Sequence, residues 1–182
     1  MNANFELPAP IPVVLGGDRH EQLNQFLRFH LLPNMTAVMP AGQLTEILKV
    51  SLSQITPIPH LPEWVFGVYN WRGEILWLVD LGNLLGLTSW RQQENPPSVL
   101  SFIVLDSFRE SDASARHENL QLGLLVNRVE DIEWLNIEQL QSPPSSMVTE
   151  QLAPFLCGYW LSPNGDTLTL LDGDAIFDRV PT

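Results

Sequence analysis

The chain is expected to fold as an all-β protein with a few short helices, and three observations predict this. Roughly eight to ten apolar stretches of strand length recur along the 182 residues, separated by turn signals at short spacing, which is the pattern of small β-barrels or a sandwich. Residues 55–87 (ITPIPHLPEWVFGVYNWRGEILWLVDLGNLLGL) spell out a hairpin: apolar runs 68–71 and 74–79 flank the turn pair Arg72-Gly73. A second hairpin is written near the end, where Ser162-Pro163-Asn164-Gly165 separates 154–161 from 166–171, and Asn-Gly tolerates the positive φ that a tight turn needs. No period of about 20–50 residues marks a solenoid or propeller.

Each element follows in order. Residues 1–20 are read as a flexible extension and 21–180 as the domain. Pro8, Pro10 and Pro12 deny the extension a helix, although its apolar content (Phe5, Leu7, Ile11, Val13, Val14) leaves docking on a neighbour open. In residues 25–31, Phe26, Arg28 and His30 alternate with Leu27, Phe29 and Leu31, as in a half-buried strand. Pro33-Asn34 turns the chain into a short strand at 35–39, stopped by Pro40. Residues 43–50 fit a helix or a strand, and Thr45, Ile47 and Val50 tilt them to strand. Glu46 then lies in apolar surroundings and needs a partner.

After the central hairpin, Asp80 is placed to cap a short helix at 81–85. Residues 88–98 read as a loop, 99–105 as a buried strand and 106–119 as a charged, mobile linker. Strands follow at 120–126 and 129–135, with Gly123 signalling a bulge or a close backbone approach. A helical turn is expected at 137–140, a loop at 141–146, and a last helix behind the cap Asp172.

Composition bounds the function. The length suits one domain or two very small ones sharing a core, and a 45% hydrophobic content argues against global disorder. A net charge of −12 and a pI of about 4.5 repel phosphate backbones and anionic lipid, so nucleic acid and membrane insertion are not expected. The one cysteine, Cys157, cannot form an intrachain disulfide and is expected as a small buried hydrophobe. The first residues carry neither a basic leader nor a long apolar run, and a cytoplasmic location is expected.

Motifs for chemistry are sparse. No two of His20, His30, His60 and His117 sit at metal-ligand spacing, so no metal and no cofactor are predicted. There is no nucleophile elbow and no phosphate loop. Glu130, Asp131 and Glu133 read as a solvated face. One sequence leaves open a site assembled in space. The tryptophans are more telling. Six are many for this length, and burial is their usual use, but Trp71 adjoins Arg72 at a turn, and Trp and Arg are both favoured at interface hot spots. Core and interface stand about level for Trp71.

Asn70-Trp71-Arg72-Gly73 followed by Glu74-Ile75-Leu76-Trp77-Leu78-Val79-Asp80-Leu81 resembles the N-x-R-G-x-hydrophobic-P-hydrophobic-D-L signature of CheW-like domains. The approach resembles that family too, through Glu46-Ile47-Leu48, Ile55-Thr56-Pro57-Ile58-Pro59 and Leu61-Pro62. So do Gly123 to Val129 and the closing hairpin and helix, so that the likeness runs from about Gln25 to Phe177. The resemblance implies two packed SH3-like five-stranded barrels. It also implies a non-enzymatic adaptor that joins the cytoplasmic tip of a methyl-accepting chemoreceptor to the regulatory domain of a CheA-type histidine kinase. Position by position it implies partner-binding roles for Leu44, Glu46, Gly67, Arg72, Gly123 and Val129, with an Arg72–Glu46 ion pair near the groove between barrels, and Trp71 joins these candidates on its hot-spot chemistry. Asn127 replaces the family's usual Asp and Trp77 a common Pro, while the segment from Glu46 to Ile55 is longer than in shorter relatives. Such variants also resemble adaptors of pilus-motility and phototaxis systems. A kinase-linked regulator would need a receiver domain, for which no length remains here, and an enzyme would need titratable groups converging in the groove.

Overall fold

A computed structural model describes residues 5–6, 22–107 and 120–180. The alternating and apolar runs form eleven strands among these residues: β1 (Phe5–Glu6), β2 (Leu23–Leu31), β3 (Met35–Pro40), β4 (Leu44–Ser51), β5 (Val65–Trp71), β6 (Glu74–Asp80), β7 (Val99–Asp106), β8 (Gln121–Val126), β9 (Arg128–Asn136), β10 (Leu156–Leu161) and β11 (Thr167–Leu171). Two short helices, α1 (Leu81–Leu84) and α2 (Gly173–Arg179), follow β6 and β11. The strand reading of 43–50 holds. The strand expected from 68 begins earlier, at Val65, and the one expected from 154 begins later, at Leu156, because Ala153–Phe155 is a 3-10 turn with proline in its first positions. The linker expected at 106–119 lies largely outside the described residues.

The strands make two five-stranded curled sheets. The first runs β4-β7-β8-β6-β5, with β1 added outside β4, and the second runs β9-β2-β3-β11-β10. The pairing is the same in both: antiparallel throughout except for one parallel pair, β6 with β8 in the first and β11 with β3 in the second. Each sheet is closed into a barrel by a lone bridge, Thr56 to Val68 and Gln141 to Tyr159. In each the strand after the bridge carries a bulge just before a glycine, Gly67 or Gly158. In each an aspartate, Asp80 or Asp172, ends a strand and caps the helix that follows. The chain therefore builds one barrel design twice, starting in the second barrel, completing the first, and returning.

Three apolar clusters follow from this. Leu48, Val50, Phe66, Trp71, Leu76, Leu78 and Phe102 fill the first barrel, and Phe26, Val38, Trp160, Leu168 and Leu170 fill the second. The largest lies between them and draws on both: Leu27, Phe29 and Met39 from the second, Val79, Ile103 and Leu124 from the first, with Ile176 and Phe177 of α2. Neither barrel can bury its outer face without the other. Among the described residues no helix is long and apolar enough to cross a membrane.

Candidate partner-binding site

Glu46 lies on the face of β4 that carries Leu48 and Val50 into the first barrel, and its side chain is wholly buried. A buried carboxylate is costly unless charge and hydrogen bonds compensate it. Two neighbours from the β5–β6 hairpin do so. Trp71 Nε1 donates to Glu46 Oε1 at 2.9 Å, and Arg72 Nη2 donates to Glu46 Oε2. The Arg72 guanidinium also stacks on the Trp71 ring, 4.7 Å from its centroid.

The hairpin aims these groups. Trp71 pairs with Glu74, so Arg72 and Gly73 form a two-residue turn, with φ of 55° and 86°. Two successive positive values suit the twist of antiparallel strands, and Asn70 Oδ1 accepts the Gly73 N–H at 3.2 Å. Positive φ is unfavourable for an arginine. Here the ion pair and the stack offset that cost and hold the side chain in one place. Its outer half stays in water, with 56% of the side chain exposed. The result is a preorganised cation at the tip of a barrel.

The other predicted positions are less accessible. Trp71 is buried in the core of the first barrel, where it holds Glu46 and underlies Arg72. Leu44 precedes a bulge in the β4–β7 ladder and turns into the core between barrels, against which half-buried Val129 also packs. Gly67 is buried at φ +148°, where a Cβ would stand 2.5 Å from the Thr56 carbonyl oxygen, so its lack of a side chain lets the closing segment approach. Gly123 sits in an unbroken stretch of the ladder, and a Cβ there would meet Leu78 Cδ2 at 2.5 Å, so close approach rather than a bulge explains it. The structure thus gathers Glu46, Trp71 and Arg72 into one site and distributes Leu44, Gly67, Gly123 and Val129 through the frame behind it.

The second barrel has a polar plug that sequence reasoning missed. Arg28, on the inner face beside Phe26, lies 2.7 Å from Glu130, 3.2 Å from Glu133 and 3.0 Å from Asp166. Burial opposes its charge, but these acceptors outweigh it and raise its pKa. His30 Nε2 lies 2.7 Å from the same Glu130. The His30 hydrogen bond, helped by Arg28 and Arg128 and opposed by burial, holds the Glu130 carboxyl below the usual carboxylate range. Glu130 and Glu133, expected on a solvated face, are thus half-buried partners of Arg28, while Asp131 is exposed. The signal was the alternation Phe26, Arg28, His30, which puts a cation on a barrel's inner face.

Cys157 also departs from expectation. It is exposed rather than buried, because it is the extra residue of the bulge between Leu156 and Gly158 and has no partner in the ladder. Partial desolvation, with the Asp172 charge nearby, pushes its thiol up. Among the described residues, no group of three or more His, Cys, Asp or Glu is placed to hold a metal ion.

Two end-plugged SH3-like barrels on a shared core, with a fixed cation at one hairpin tip, define a class of rigid binding module. The CheW-like domain matches residues 25–180, and the chain belongs to that family. It is 27% identical over 120 residues to the chemotaxis protein CheW of Treponema pallidum, covering 66% of this chain and 63% of that one. It is 30% identical over 122 residues to the chemotaxis protein CheW of Rhizobium meliloti, covering 67% and 68%. The matched part thus spans less than two thirds of the first of these relatives. The crystal structure of the scaffolding protein TtCheW from Thermoanaerobacter tengcongensis superposes with a TM-score of 0.65 at 19% identity, over 83% of this chain and 90% of that one, which shows the shared fold.

Proposed function

We propose that the chain is a non-catalytic adaptor of a chemotaxis-like system. Its domain, residues 21–180, would couple the cytoplasmic tip of a methyl-accepting chemoreceptor to the regulatory domain of a CheA-type histidine kinase, in the cytoplasm, with residues 1–20 as an extension outside the domain. The observation that carries this reading is the Arg72 guanidinium, fixed by buried Glu46 and stacked on Trp71 at an exposed tip. A cation already held in its binding geometry loses little freedom when a partner arrives, which favours recognition. The names of the matched relatives support the chemotactic setting. In this role Arg72 makes the contact, held in place from behind by buried Glu46 and Trp71, while Leu44, Gly67, Gly123 and Val129 keep the barrels in the orientation that both partners read.

The test is a pull-down of wild type and Arg72→Glu against a receptor tip and, separately, a kinase regulatory domain. Wild-type capture of both, with receptor capture alone lost in the variant, puts Arg72 on the receptor side. Wild-type capture of neither rejects the adaptor reading. A second reading, a scaffold of a pilus-motility or phototaxis complex, rests on Trp77 and Asn127 standing where the resembled signature has Pro and Asp. A kinase partner from such a system binding in preference to a flagellar one would favour it.

A further inference from the structure

Strands β4 and β9 hold equivalent places in the two barrels, each pairing on one side only with a strand of its own barrel. Exposed strand edges offer unpaired N–H and C=O groups, and proteins blunt them with charge or cover them. The edge of β9 is charged, with Arg128 and Asp131 exposed along its length. The edge of β4 (LTEILKVS) is not: Glu46 is turned inward and buried, which leaves Lys49 as the one outward charge. Nor is it bare, because β1 pairs with it antiparallel, Phe5 opposite Ile47 and Glu6 opposite Glu46.

From this contrast we infer that the outer edge of β4 is a strand-docking site whose occupant is the chain's own N-terminal segment, and that this segment is a removable cover beside the Glu46–Arg72 pair. The second half rests on the partner-binding reading given above. The ladder is two residues long. Prolines at 8, 10 and 12 have no N–H with which to lengthen it. So short an added strand contributes little net stability, and an arriving partner can displace it.

Residue-resolved hydrogen exchange of the full chain, of Glu6→Pro and of a chain lacking residues 1–10 tests the docking without any partner. The β4 amides that face away from β7 should exchange roughly tenfold faster in both variants, with those facing β7 unchanged. Equal exchange in all three chains overturns the docking. Protection that fades on dilution of the wild type, together with a dimer in sedimentation, overturns the intramolecular occupant in favour of a second copy. Affinity for the receptor tip tests the cover: the shortened chain should bind about fivefold tighter, the worth of one net backbone hydrogen bond. Equal affinities overturn the cover. Binding by neither chain rejects the adaptor reading and the cover with it, while exchange still decides the docking.

Discussion

Glu46 is buried, yet its two donors differ in how far they could be spared. Trp71 is in the core, so its N–H bond to the carboxylate is shielded from water, whereas Arg72 is more than half exposed and water replaces it in part. Trp71→Phe keeps the ring and removes only the donor; we expect a loss of about 1–3 kcal/mol in urea denaturation. Arg72→Ala should cost less stability than that while weakening partner capture more. The reverse order would make Arg72 a structural residue first. Glu130 predicts a pH effect. Its folded pKa lies below its unfolded one, so its contribution is present above the unfolded value and disappears as the pH falls through the folded value. Stability of the wild type should therefore fall on the acid side of the carboxylate range, and Glu130→Gln should flatten that limb. An unchanged acid limb in the variant would contradict the assignment.

The hairpins and their closing bridges explain why particular glycines recur. Gly67 stands where β5 meets the Thr56 bridge, and Gly158 where β10 meets the Gln141 bridge, each after a bulge. A Cβ on Gly158 would be 2.8 Å from the Gln141 carbonyl oxygen, much as one on Gly67 would crowd that of Thr56. Gly67→Ala meets backbone and a positive φ together, so we expect a cost of about 3 kcal/mol or more. Gly123→Ala meets the ends of the Leu76 and Leu78 side chains, which can shift, and should cost about 1–2 kcal/mol. Chemical denaturation of the two variants side by side would check the order. The hairpin turn, the two aspartate caps and the need of Glu46 for a partner were legible because each depends on neighbours in sequence or on a charge among apolar residues. The bulge that exposes Cys157 was not, since an extra residue in one strand shows only against its partner.

Over the whole molecule, the core shared between the barrels makes them one cooperative body. Calorimetry should show a single unfolding transition across residues 22–180, and two resolved transitions would mean that the barrels are stable apart. The duplicated design also accounts for the contrasting plugs. The first barrel buries a carboxylate and shows a cation, while the second buries a cation and shows three carboxylates, Glu130, Glu133 and Asp166. One end therefore exposes a cation and the other carboxylates, in a chain whose net charge is −12.

Local chemistry in the sequence was enough for the class of fold, the order of the elements, the Arg72-Gly73 turn and the need of Glu46 for a partner, whereas the choice of Arg72 as that partner came with the resemblance to CheW-like domains. Strand alternation, turn residues and capping aspartates act over a few positions, so they can be read from one chain. The placement of Arg28 among carboxylates from β9 and the β10–β11 turn, the burial of Trp71, and the pairing of β1 with β4 could not be read that way. Each depends on which strands become neighbours when the barrels close, and that is set by long-range ladders and by the apolar surface that the two barrels bury against each other.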